Sequence, residues 1–221
     1  MTNAALVVWG GWSGHEPEQV AQILGSELKD SGFVVTITNT LDAYKELNAI
    51  PNLKLVVPIW TMGTIRGDQL EPLLEAVKGG IGIAGCHGGM CDSFRDATEY
   101  QFMTGGQWVA HPGNDQVEYT VRITDPNHFV TSGSTDFKVR SEQYYLHVDP
   151  AVKVQAVTRF PTVDGPHAPN GNVDMPVVWT KYYGQGRVFY CSLGHSAATV
   201  AQPEVLAIMK RGMIWAAGQD G

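Results

Sequence analysis

The chain has 221 residues, 43% hydrophobic and 17% charged with 25 glycines, which suits one medium-sized globular domain over residues 1-221 and excludes a disordered or fibrous chain. Its net charge of -7, with no Lys/Arg run or basic helix, excludes nucleic acid and anionic membrane as partners and favours a neutral or weakly charged small ligand. Three cysteines without CxxC spacing exclude a disulfide framework and, with no signal core or membrane-length apolar run near the N-terminus, point to a cytoplasmic protein with free thiols.

Ala4 to Trp9 is a continuous apolar run, as a strand buried on both faces should be, and Gly10-Gly11 closes it. Glu16-Pro17 opens a helix whose apolar face is Val20, Ile23, Leu24 and Leu28; Ser31-Gly32 ends it before a strand from Phe33 to Thr38. A third strand, Leu53 to Pro58, leads to a helix from Asp68 to Lys78 and a fourth strand from Ile81 to Gly85. A helix is expected over Met90 to Gln101. Such alternation demands a mostly parallel, doubly wound α/β sheet with helices on both faces. After Gly105-Gly106, alternating segments such as Gln116 to Thr124 and Val152 to Phe160 predict a β-rich extension. Met175 to Lys181 and Gly186 to Ser192 return to the core as a hairpin, and a helix over Pro203 to Ala216 completes the chain.

Open parallel sheets bind ligands beyond the carboxyl ends of their strands, and three histidines fall there. His15 follows the first strand, His87 the fourth, and His195 the strand that ends near Ser192. His87 is the centre of Gly85-Cys86-His87-Gly88-Gly89, which has the strand-to-helix setting and the Gly-x-nucleophile-x-Gly pattern of a nucleophile elbow. An imidazole at that tip signals a base, a metal ligand or an anchor. The positive end of the following helix is expected to keep it neutral. Cys86, an x residue of the elbow, belongs in packing, as do Cys91 and Cys191. Trp9 and Trp215 lie inside regular elements and are assigned to the core, and Arg66 to a helix-flanking salt bridge.

Together with Gly10-Gly11-Trp12-Ser13-Gly14-His15 and the elbow, the segments Gly105 to Pro112, Glu142-Gln143-Tyr144-Tyr145 and Gly184 to His195 resemble the ThuA-like family of trehalose utilisation proteins, across nearly the whole chain. That resemblance implies a fold similar to class I glutamine amidotransferases, hence a flavodoxin-like sheet with the elbow at its centre and His195 facing it. It also implies carbohydrate utilisation and a homo-oligomer. The chain departs from amidotransferase chemistry in two places: His87 stands where the nucleophile would, and Ser196-Ala197 replaces the acid expected after His195.

The expected site therefore assigns His87, His195 and Glu142 to acid-base work, with His15, His111, Tyr145, Trp12 and Trp60 binding substrate. Trp108 is a further candidate stacking surface. His15, His87 and His195 are also the candidate ligands of a divalent metal such as zinc, joined by His111 or Glu142; no motif spacing presets them. Two functions remain open at this point. One is a sugar-modifying enzyme acting on trehalose, a related disaccharide or a keto-sugar, without glutaminase activity; the other is a non-catalytic carbohydrate-binding or regulatory domain.

Overall fold

A computed structural model describes residues 2–220. A nine-stranded sheet runs through it in the order β2-β1-β3-β4-β11-β10-β9-β6-β7. The strands are β1 (Ala4–Gly11), β2 (Val34–Thr38), β3 (Leu53–Thr61), β4 (Gly82–Cys86), β6 (Glu118–Ile123), β7 (Phe137–Arg140), β9 (Lys153–Phe160), β10 (Val173–Tyr183) and β11 (Gly186–Cys191). The first five in spatial order are mutually parallel, as the alternating pattern demanded. This parallel half has the flavodoxin-like arrangement. From β11 onward every pairing is antiparallel, so most of the β-rich extension continues the core sheet. Only β5 (Gly106–Ala110) and β8 (Tyr145–Val148) stand apart, as a two-stranded ribbon.

One face of the sheet carries α1 (Pro17–Asp30), α5 (Ala197–Val200) and α6 (Pro203–Ala216). Val20, Leu24 and Leu28 of α1 and Val205, Ile208, Met209 and Met213 of α6 fill the core with Val7, Val57 and Phe189. Trp215 is buried in that cluster and Trp9 packs against it. The opposite face carries α2 (Gly67–Lys78), α3 (Gly88–Cys91), α4 (Thr98–Thr104) and a 3-10 segment over Leu41–Ala49. There Leu73, Val77, Tyr44, Met90 and Tyr100 pack on Leu6, Val8, Val56 and Tyr190. Pro17 at the start of α1 sacrifices an N–H that has no helical partner in any case.

The single helix expected over Met90 to Gln101 is two short ones. After α3 the chain turns back against the end of β3: Met62 N donates to Asp92 O at 2.7 Å and Phe94 N to Met62 O at 3.2 Å. Ser93 Oγ donates to Trp60 O at 2.5 Å, and Phe94 takes φ 49, which no α-helix tolerates. Burying the Phe94 ring outweighs continued helix, and α4 begins only at Thr98. Arg66 flanks α2 in the expected way, pairing with Asp68 and Asp42.

Candidate active site at the carboxyl edge of the sheet

β1 and β3 end side by side, and Gly11 lets their backbones touch: a Cβ there would overlap Thr61 O, to which Trp12 N donates at 3.1 Å. The chain then turns through Trp12–His15, which buries His15 at the rim. His87 follows β4 with φ 50 and ψ -137, the strained backbone of an elbow. Neighbouring β11 holds it there, since His87 N donates to Cys191 O at 2.7 Å and Tyr190 Oη donates to His87 O at 3.0 Å. The tip is not open to solvent: His87 is 1% exposed, and the Tyr144 ring stacks on it at 4.0 Å.

Glu142 lies between β7 and β8, and Tyr119 Oη donates to its carbonyl at 2.9 Å. The next residue anchors the segment to the extension. Gln143 Nε2 donates to Thr158 Oγ1 at 2.9 Å and Arg159 O at 3.0 Å, while its Oε1 accepts from Thr162 N at 3.0 Å. The Glu142 carboxylate meets four imidazoles. Oε2 is 3.0 Å from His87 Nε2 and 3.8 Å from His15 Nε2; Oε1 is 3.4 Å from His195 Nδ1 and 3.7 Å from His111 Nε2. His15, His87, His195 and Glu142 each offer a ligand atom within 4.8 Å of the others, the spacing, among the described residues, that could hold a metal.

Burial pushes the His87 imidazole down to about 4, against the opposing pull of Glu142. Neutrality was expected from the helix dipole, but α3 is only four residues long and desolvation dominates. For Glu142, burial works toward protonation, yet the surrounding His15, His195 and His87 outweigh it and hold the carboxyl well below the usual range. The same carboxylate raises His195. Burial, reinforced by Glu142 and Asp92, keeps the Tyr144 phenol protonated.

A cleft of about 270 Å³ opens above this centre, lined by Trp12, Met62, Trp108, Asp115 and Tyr144 among others. His15, His87, His111, His195, Glu142 and Trp12 thus come together. Two expected substrate residues do not. Trp60 lies within β3 with its ring directly beneath Gly10, packed against the core cluster, and does not line the cleft. Tyr145 is on the far side of the β5–β8 ribbon, against Phe160 at 5.1 Å and His167 at 4.7 Å, at a separate apolar cavity. The phenol in the site is Tyr144. In an extended chain residues i and i+2 share a side, so the spacing from Glu142 already favoured Tyr144 over Tyr145. Buried Asp92, held by Arg95 at 2.6 and 3.0 Å, also reaches the cleft and had no sequence signal beyond its place after the elbow. Cys86 is buried in the core cluster opposite, where burial pushes its thiol far up. Cys91 and Cys191 are buried too.

Fold and site together define a class: a flavodoxin-like α/β protein, its fold consistent with that of glutamine amidotransferases, whose elbow presents an imidazole in place of a nucleophile. Residues 4–216 match the ThuA family, described as trehalose utilisation, and the chain belongs to that family. Its description supports a role in carbohydrate utilisation. A ThuA-like protein of Parabacteroides merdae ATCC 43184 is similar in structure, with a TM-score of 0.77 at 18% identity over 98% of this chain and 90% of that one. A ThuA-like protein of Bacteroides uniformis ATCC 8492 follows at 0.74 and 17%, over 97% of this chain and 91% of that one. A β-galactosidase from Bacillus circulans sp. alkalophilus shares the fold at 0.60 and 12%, over 99% of this chain but 31% of its own. No protein of curated function matches the sequence. Among the described residues no helix is long and apolar enough to cross a membrane.

Proposed function

We propose that the protein is a cytoplasmic carbohydrate-utilisation enzyme performing acid-base chemistry on trehalose, a related disaccharide or a keto-sugar, without glutaminase activity. The observation that carries this reading is a carboxylate ringed by four imidazoles at the floor of a cleft walled by Trp12 and Trp108. Flat aromatic walls suit the apolar face of a pyranose, and the cleft volume suits about one sugar ring, with a second ring toward the open mouth.

Such a centre can take a proton from a carbon beside a carbonyl and return it to a neighbouring atom, the step common to isomerisation and elimination of a keto-sugar. His111 faces the open volume and moves the proton, while the Glu142 carboxylate, held ionised by its histidines, orients it. His195 donates to the developing oxyanion, and the protonated Tyr144 phenol orients a hydroxyl. His15 and His87, fixed from behind by Thr61 and Ser192, set the position of the carboxylate. Glutamine hydrolysis lacks its nucleophile, because the only thiol at the elbow is core-facing Cys86.

The test is incubation with trehalose, sucrose and their 3-keto derivatives in deuterium oxide, followed by NMR. Deuterium beside the carbonyl, lost in Glu142→Gln, is the expected result. Sugars that bind by calorimetry yet stay unchanged and unlabelled would assign the cleft to recognition and overturn the enzymatic reading.

A further inference from the structure

One contact at the Glu142 centre is unexplained by proton chemistry. His87 Nδ1 lies 2.8 Å from the carbonyl oxygen of Ser192, a group that only accepts, so Nδ1 carries the hydrogen. In the neutral ring Nε2 is then a bare lone pair, and it faces Glu142 Oε2 at 3.0 Å. Two acceptors at that distance repel unless a cation is shared between them. A single proton would settle this contact alone. His195 Nδ1, 3.4 Å from Glu142 Oε1, would remain buried without a well-directed hydrogen bond, and His15 Nε2 would still stand 3.8 Å from the carboxylate, beyond hydrogen-bond reach.

The geometry points to one divalent first-row transition ion of the zinc type, held by His15 Nε2, His87 Nε2, His195 Nδ1 and the Glu142 carboxylate. One such ion would accept a lone pair from each of these atoms at once, including the bare one on His87 Nε2. Bonds of about 2.0–2.2 Å in a tetrahedron place donor atoms about 3.2–3.6 Å apart. The donors here lie within 4.8 Å of one another, close enough for small side-chain rotations to complete the shell. Three imidazoles with one carboxylate select a transition ion over magnesium or calcium, which take all-oxygen shells.

The outer contacts fit the same reading. Metal-binding histidines anchor their second nitrogen on a carbonyl, hydroxyl or carboxylate, which fixes the ring and its tautomer. His87 does so on Ser192 O, and His15 Nδ1 is 2.8 Å from Thr61 Oγ1. Four separate chain segments supply the ligands, so the fold assembles the site and no local motif announces it. The inference stands apart from the sugar reading, since an ion can be held whether or not a sugar is turned over. Where both hold, Glu142 enters the shell of the ion and His111 is the free base in the cleft.

Untagged protein purified without added metal, analysed for elements, then stripped with chelator and titrated with cobalt(II), tests the site. The expected result is one ion per chain and visible cobalt bands of a nitrogen-oxygen shell. Losing an outer-shell partner costs about 10–100-fold in affinity, so losing a ligand in His195→Ala or Glu142→Gln should weaken cobalt binding by more than about tenfold. His111→Ala, outside the ligand set, should bind as the parent does, and thermal melts establish that each variant is folded. Absence of stoichiometric metal together with cobalt binding no tighter in the parent than in folded His195→Ala overturns the site. Equal loss in His111→Ala overturns the ligand assignment. Retained cobalt binding with no sugar turnover leaves this site standing and removes only the sugar reading.

Discussion

Gly88→Ala tests whether the elbow positions the histidine cluster through contact. Gly88 has an ordinary negative φ, so alanine adds no backbone strain, only a methyl group. That methyl carbon would sit 2.8 Å from His15 Cε1, 2.9 Å from His15 Nδ1 and 2.9 Å from Thr61 Cγ2. Carbon contacts relax at about 3.5–4.0 Å, so the imidazole must retreat by about 0.6–1.2 Å. Its bond to Thr61 and its aim at Glu142 move with it. Overpacking of this kind costs about 1–3 kcal/mol, which for a chain of this size is a fall in melting temperature of about 2–12 °C. Calorimetry reads the cost, and the NMR signal of His15 together with cobalt affinity reads the displacement. Thr61→Ser removes one of the three crowded atoms and should recover part of both losses in the double variant. A Gly88→Ala protein that melts as the parent does, with an unmoved His15 signal, would refute the reasoning.

Asp149→Ala should cost about 2–4 kcal/mol by chemical denaturation, because it leaves the Lys181 ammonium buried with only the Phe102 carbonyl, at 2.6 Å, as partner. Lys181 and Ala151 N hold the Asp149 carboxyl below its ordinary value of 3.8. The contribution is therefore complete above about pH 4 and disappears as pH falls through the lowered value, so the gap between parent and variant should close in acid. Trp108→Ala should weaken sugar binding in calorimetry by about 2–12-fold, the loss of a stacking surface worth about 0.5–1.5 kcal/mol. Tyr145→Phe should leave it unchanged, and a loss there would return Tyr145 to the site.

Hydrophobic periodicity was enough to read the parallel half of the fold. Runs buried on both faces such as Ala4 to Trp9 have no other comfortable setting, and the α6 limits of Pro203 and Ala216 coincide with the sequence reading. The region after the elbow was misread because periodicity does not register competition. Met90 to Gln101 has helical spacing, but Met62 offers its N–H and carbonyl to Asp92 and Phe94, and Phe94 gains a buried ring position by leaving the helix. That pairing joins residues far apart in sequence. The junction of the extension with the core was equally hidden: β9 pairs with β10 through bulges near Val178, and no local pattern says that the sheet continues there.

At the site, strand ends and glycine turns were legible while side-chain direction was only partly so. The rule that ligands gather at carboxyl ends brought out His15, His87 and His195 because each follows a strand of the parallel half. Trp60 obeyed the same rule in sequence and failed it in space, since β3 runs on to Thr61 and its ring fills the hollow under Gly10. Tyr145 turns away because it lies on the other side of the ribbon, against Phe160 and His167, and the phenol that stacks on His87 is Tyr144. Glu142 was named from its segment, but its four histidine neighbours were not legible there: the contacts form only when the antiparallel strands extend the parallel sheet and Gln143 pins the turn. The elbow supplies a strained, exactly placed imidazole, and the extension supplies the charge that faces it. Neither half alone makes the centre, so the candidate site lies in the joint between the two sheet halves.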